Sequence, residues 1–218
     1  MSMKDLLNSN LSVTDYLINN AINNGKRVII TGHSLGGNIA NVYTSYFMTT
    51  LKQANLLSGN TPPNISLYTF AAPAPRNSDF ATDLDTKLPT AWHFQSDKDV
   101  IPNFPVASDI HKLAKWYSPD APDATAITVT IGKGDKSKDV LLEKAINDLA
   151  DLLTVSNILN WSAYKQQANN YTIFTTAELK PGHQQNNLNA WFMQVLIQHQ
   201  LGNYADYLTS LKTETQYA

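Results

Sequence analysis

The alternation of apolar and polar positions divides the chain into helical and extended stretches. Val13, Leu17 and Ala21, joined by Ile18 and Ile22, recur at helical spacing. They follow Ser12-Val13-Thr14-Asp15, which resembles a capping box with Asp in place of Glu, and Gly25 suits the helix end. Arg27 to Thr31 hold Val28-Ile29-Ile30, a β-branched run that reads as a strand buried on both faces. From Gly37 onward Ile39, Ala40, Tyr43, Phe47 and Leu51 fall on one helical stripe that fades around Lys52 to Asn55. A loop over Ser58-Gly59-Asn60-Thr61-Pro62-Pro63 leads to a strand over 65–71, closed by Ala72-Pro73-Ala74-Pro75-Arg76. Residues 79–84 are expected as a short helix. Residues 91–95 form a further strand, running out into Ser96-Asp97-Lys98-Asp99-Val100-Ile101-Pro102.

Beyond that point the pattern weakens. Residues 103–124 read as irregular, and 126–131 alternate like a strand. After a turn over 132–136, Ser137 is expected to cap a helix carrying Val140, Leu141, Ala145, Leu149 and Leu152, with 157–167 as a second helical piece. Residues 171–175 make the last strand, Pro181-Gly182-His183 lies in the loop beyond it, and 190–200 read as a closing helix. Strands alternating with helices predict an α/β fold with a mostly parallel sheet flanked by helices. Reactive groups in such sheets gather at the carboxyl ends of the strands.

With 218 residues, the chain is long enough for one domain over 1–218, with 106–170 as a candidate cap or insertion. A net charge of −2 leaves no basic footprint, so nucleic acid is not an expected partner. The absence of cysteine excludes disulfides, thiol catalysis and cysteine metal sites. No apolar run approaches the length of a membrane span, and the N-terminus has no signal-peptide pattern.

The candidate chemistry sits at the first strand-to-helix junction. Gly32-His33-Ser34-Leu35-Gly36 matches Gly-x-Ser-x-Gly, the nucleophile elbow of α/β-hydrolases. The pentapeptide alone should occur by chance in about one chain in ten of this length. Its placement between a β-branched strand and an amphipathic helix is what makes it informative. Gly32 and Gly36 are expected to relieve collisions around so sharp a turn. The Leu35 N–H would point to where an oxyanion forms.

Serine needs a base to take its proton, and the base needs a carboxylate to fix its tautomer. In α/β-hydrolases these follow in the order acid, then histidine, on loops after later strands. Asp97 and Asp99 both occupy the expected loop. Asp99 is favoured because Val100-Ile101-Pro102 would fix the chain as it leaves the carboxylate. Among five histidines, His33 should point away from Ser34, His93 lies within a strand, and His111 and His199 sit in poorly defined or helical surroundings. Only His183 follows a final strand ahead of a closing helix. It is the expected base, against the plainer reading of an exposed loop histidine.

The segment Val28 to Ala40 resembles the class 3 (fungal-type) lipases, as do Leu67-Tyr68-Thr69-Phe70-Ala71-Ala72-Pro73 and Asp99-Val100-Ile101-Pro102-Asn103-Phe104-Pro105. The likeness runs over residues 12–105 and, beyond them, over the His183 loop. It implies an α/β-hydrolase with a Ser34–Asp99–His183 triad, an acyl-enzyme, lipid or small ester substrates, transient contact with a lipid surface, and no cofactor or metal. A short-chain esterase, a thioesterase or a non-catalytic binding module are the alternatives. The family places several strands before the elbow, one ending in the loop that supplies a second oxyanion donor, and nothing in residues 1–25 matches them. N-terminal truncation, or a homodimer through an open sheet edge at Val28–Ile30, is the corresponding expectation. Trp116, Tyr117 and Trp161 are candidates for an acyl pocket, against the plainer reading of core aromatics.

Overall fold

The computed structural model describes residues 11–57, 64–118, 120–155, 164–176 and 178–215. Helix α1 (Val13–Asn20) precedes β1 (Val28–His33), α2 (Leu35–Gln53), β2 (Ile65–Phe70), β3 (Arg76–Asn77), α3 (Ser78–Lys87) and β4 (Trp92–Ser96). Then come α4 (Ala107–Leu113), β5 (Thr128–Ile131), β6 (Lys138–Leu141), α5 (Leu142–Val155), β7 (Tyr164–Lys165), β8 (Tyr171–Phe174), α6 (Leu188–Gln198) and α7 (Leu201–Thr215). The central sheet has four strands in the order β1-β2-β4-β8, and every neighbouring pair is parallel. Parallel neighbours need crossovers, and α2 and α3 supply the first two. Short antiparallel pairs, β3 with β7 and β5 with β6, lie outside this sheet.

Three apolar clusters hold the layers together. Phe47, Met48 and Leu51 of α2 and Leu84 of α3 pack with Val28, Ile65 and Leu67 of β1 and β2. Ile110 and Leu113 of α4, Ala150 and Leu153 of α5, and Trp191 and Val195 of α6 form a second cluster that also takes in Val100. In the third, Tyr204 and Tyr207 of α7 pack on Phe70, Phe94 and Phe174. The Phe174 and Tyr207 rings stack with centroids 4.1 Å apart.

Ser12 caps α1 as expected. Its hydroxyl accepts the Asp15 N–H at 3.0 Å and donates to the Asp15 carboxylate at 2.7 Å. Several expectations need correction. β1 is an edge strand rather than one buried on both faces, and Ile29 is 57% exposed. On α2 the expected Ala40, Phe47 and Leu51 are buried, together with Gly37, Asn41, Thr44, Ser45 and Met48, but Ile39 is exposed. The supposedly irregular stretch after residue 103 contains α4, which buries Ala107, Ile110 and Leu113 at i, i+3 and i+6. Lys138–Leu141 is a strand, because pairing with β5 claims Val140 and Leu141 before the helix starts at Leu142. Tyr164 and Lys165 pair with β3 rather than extending a helix. Gln166 and Gln167 follow outside any helix, and residues 157–163 of that expected helical piece, with the 58–63 loop, lie outside the described residues.

Candidate active site

The nucleophile elbow follows from three local facts. His33 ends β1, Leu35 starts α2, and Ser34 between them stands at φ 57°, ψ −129°. A non-glycine residue at positive φ costs on the order of 1–3 kcal/mol and persists where surrounding bonds over-determine it. Here the Ser34 N–H donates to Phe70 O of β2 at 2.9 Å, and the Gly37 N–H donates back to Ser34 O at 2.9 Å. The expectation for the flanking glycines holds at one of them only. A Cβ on Gly32 would sit 2.2 Å from Gly36 O, whereas a Cβ on Gly36 would meet nothing within 4 Å. The second crowded glycine is Gly37, whose Cβ would lie 2.8 Å from the Ala72 Cβ. Close packing of α2 on the Ala71-Ala72 bend after β2 therefore replaces the collision anticipated at Gly36.

The acid loop leaves the carboxyl end of β4. Asp99 is fully buried, and its Oδ1 accepts the Ile101 N–H at 2.9 Å. The short turn over Ile101–Asn103 thus holds the carboxylate in place, as the Val-Ile-Pro sequence suggests. Asp97 has another task. Its Oδ1 accepts the Thr176 N–H at 3.1 Å and the Thr176 hydroxyl at 3.3 Å, tying the end of β4 to the chain beyond β8.

The imidazole that meets both groups is His199. Its Nε2 lies 2.7 Å from Ser34 Oγ, and its Nδ1 lies 2.9 and 3.1 Å from the two Asp99 oxygens. A carboxylate can only accept, so Nδ1 carries the proton and Nε2 is left as acceptor for the serine hydroxyl. His183, the expected base, is not in this position. It lies before α6, where its carbonyl accepts the Gln194 side-chain amide at 3.1 Å. His199 lies just past the other end of the 11-residue α6, about 16 Å of helix away.

The sequence signal for His199 was masked by continuity. The apolar stripe from Ala190 to Ile197 runs into Gln198-His199-Gln200 with neither Gly nor Pro at the junction. What stops α6 is Asn203, whose side-chain amide donates to Ile197 O at 2.9 Å and Gln198 O at 3.1 Å. Both carbonyls belong to the last turn, whose C=O groups lack intrahelical donors, and Ile197 O also accepts the Gln200 N–H at 3.2 Å. An Asn three residues past the polar Gln-His-Gln run is the cue that could have placed His199 just beyond the helix rather than inside it.

Two further residues of the site were not expected to belong to it: Tyr204, which lies in no motif, and His33, inside the elbow pentapeptide. The Tyr204 hydroxyl donates to Asp99 Oδ2 at 2.7 Å and accepts the Ser96 N–H at 3.2 Å. Burial and the adjacent carboxylate push the Tyr204 phenol well above its ordinary pKa, so it remains a donor. His33, expected to point away from Ser34, has its Nε2 2.9 Å from the carbonyl oxygen of His199. Leu35, whose side chain is 67% exposed, opens α2, where first-turn N–H groups lack intrahelical acceptors. Among the described residues no group of three or more His, Cys, Asp or Glu could hold a metal ion.

The aromatic candidates separate. Tyr117 is buried, and its ring meets Trp191 edge-on, so it belongs to the core. Half-buried Trp116 lines a cleft of about 450 Å³ together with Pro102, Tyr171 and Ile173. Trp161 lies outside the described residues.

The Lipase (class 3) family model matches residues 5–108, a segment that includes Ser34 and Asp99 and stops short of His199. The crystal structure of M37 lipase is similar to 81% of this chain and 44% of its own, at 22% identity and a TM-score of 0.55. The crystal structure of a lipase from Rhizopus microsporus var. chinensis matches 48% of this chain and 32% of its own, at 32% identity and a TM-score of 0.35. The chain therefore spans less than half the length of these solved lipases. No protein of curated function matches it. The likeness to M37 lipase carries the α/β-hydrolase fold, with its parallel sheet flanked by helices.

Proposed function

Because residues 5–108 match the Lipase (class 3) family model, we propose that the chain is a member of that family and hydrolyses carboxylic esters of lipids through Ser34, His199 and Asp99. One observation carries the reading: a single imidazole lies within hydrogen-bond reach of both the elbow serine and a fully buried carboxylate. That is the arrangement which turns a weakly nucleophilic hydroxyl into a reactive one.

In the proposed cycle Ser34 Oγ attacks the ester carbonyl as its proton passes to His199 Nε2. Asp99 stabilises the resulting imidazolium while Tyr204 and the Ile101 N–H hold the carboxylate still. The Leu35 N–H, at the positive end of α2, receives the developing oxyanion. His199 then gives its proton to the departing alcohol. Water, activated by the same imidazole, clears the acyl-enzyme. A lipid substrate fits the apolar side chains flanking both reacting groups along the chain. Leu35 beside Ser34 is exposed, as are Leu196 and Leu201 on either side of His199.

A fluorophosphonate probe tests the reading directly. Wild-type protein should be labelled and Ser34→Ala should not; absence of labelling on folded wild type would favour a binding module instead. Among labelled forms, p-nitrophenyl esters of increasing acyl length separate a lipase from a short-chain esterase. The lipase reading expects rates that rise with chain length.

A further inference from the structure

We infer that His33 is a positioning residue that locks the base onto the nucleophile elbow, through a hydrogen bond from its ring to the main chain of His199. The inference rests on the catalytic reading of Ser34 and His199 given above. His33 Nε2 is 2.9 Å from His199 O, a contact spanning 166 positions of sequence. A carbonyl oxygen cannot donate, so Nε2 carries the proton and His33 is the donor in this bond. The two imidazoles also lie against each other, with centroids 4.7 Å apart and planes inclined at 36°. The Tyr204 ring closes the third side edge-on at 5.8 Å.

The place of this bond gives it its effect. His199 caps α6, and helix ends leave their last carbonyls without intrahelical donors. Asn203 takes the carbonyls of Ile197 and Gln198, and His33 takes that of His199. His33 is the immediate neighbour of Ser34, and Ser34 is fixed to β2 through Phe70 O. One bond therefore ties the backbone that carries the base to the backbone that carries the nucleophile. Without it, the distance between Ser34 Oγ and His199 Nε2 depends on the weak reactive hydrogen bond itself and on Asp99. Misplacement of reacting groups by about 1 Å can cost a hundredfold in rate.

The chemistry of the neighbouring ring also favours neutrality at position 33. When His199 becomes an imidazolium, a second cation 4.7 Å away would oppose it. Burial, and then the nearness of His199, lower the pKa of His33, with the hydrogen bond to His199 O and the charge of Asp99 acting in the opposite direction. A lysine or arginine here would keep a donor but place a permanent charge beside the imidazolium.

Two replacements at position 33 discriminate the bond from the bulk of the ring. His33→Phe keeps an aromatic ring but no donor, and His33→Gln supplies an amide N–H without a ring. The expected result for His33→Phe is a tenfold to hundredfold fall in kcat on a p-nitrophenyl ester, with KM changed less than threefold and the thermal midpoint retained. His33→Gln should recover a substantial part of the loss, and the second-order rate of fluorophosphonate labelling of Ser34 should follow the same order. If His33→Phe matches wild type within twofold, or if Gln recovers nothing while Phe is also folded, the positioning role is overturned. If wild type is itself unlabelled and inactive, it is the catalytic reading that fails, before the variants are compared.

Discussion

Ser34 and Asp99 leave the sheet at the carboxyl ends of β1 and β4, while His199 arrives from the junction of two helices. The first two are set by backbone. Ser34 is pinned between strand and helix by main-chain bonds, and Asp99 is held on one oxygen by the Ile101 N–H of its own turn, with the Tyr204 hydroxyl on the other. The third is set by side chains. Asn203 ends α6, His33 grips the main chain of His199, and Asp99 orients the ring. Geometry imposed by backbone leaves a local motif, because glycines and a strand must sit at fixed offsets. Geometry imposed by side chains from distant segments leaves almost none, since each partner is an ordinary Asn, His or Tyr.

The sharpest way to break this contrast is at the base. His199→Ala should lower kcat by roughly ten-thousandfold or more, as loss of a triad member does elsewhere. His183→Ala should remain within twofold of wild type, and steady-state ester hydrolysis reads both. Full activity in His199→Ala, or its loss in His183→Ala alone, would restore the pre-helix loop as the source of the base.

The elbow side sharpens the contrast through packing. In Gly32→Ala the new Cβ meets backbone 2.2 Å away, so either the strand or the helix must shift. A loss of about 1–3 kcal/mol in urea unfolding is expected, of the size that backbone strain produces. Gly36→Ala meets open space and should stay within about 0.5 kcal/mol, or gain slightly from better helix propensity. Equal effects at the two glycines would mean that the elbow is not held as described.

The smallest effect concerns the sheet beneath both groups. His93 is 2% exposed on β4, its Nδ1 lies 2.7 Å from the Thr69 hydroxyl, and burial lowers its pKa to about 4. The unfolded chain therefore binds the proton first as pH falls below about 6.5. The stabilisation from a neutral His93 is complete above that pH and disappears as pH falls toward 4, an effect of up to about 3 kcal/mol. Urea midpoints of wild type and His93→Gln, compared at pH 7.5 and 4.5, measure it. The variant should lose less stability on acidification, and equal losses would remove His93 from the account.

How much of this was legible beforehand follows the same division. Val28-Ile29-Ile30 before Gly32-His33-Ser34-Leu35-Gly36 is a local code, since only a strand, a sharp turn and a helix satisfy those residues together. The turn Asp99-Val100-Ile101-Pro102 is another, and Asp99 stands where its neighbours indicate. Less local features are harder to read. The β-branched run Val28 to Ile30 reads as buried on both faces, whereas the absence of a strand pattern in residues 1–25 puts it at an open edge. Burial depends on which strands lie alongside, and here β1 is paired only with β2 among the described residues. Ile39 looked like core because periodicity gives the width of an apolar stripe and not its bearing.

The chain alone determined the elbow at Ser34, the turn that carries Asp99 and the alternating α/β plan, because each is written in short-range residue order that backbone sterics constrain. Only the tertiary structure decided which histidine reaches the serine. That choice turns on where α6 stops and on bonds between positions 33, 199, 203 and 204, and such long-range contacts have no spacing that a linear reading can measure.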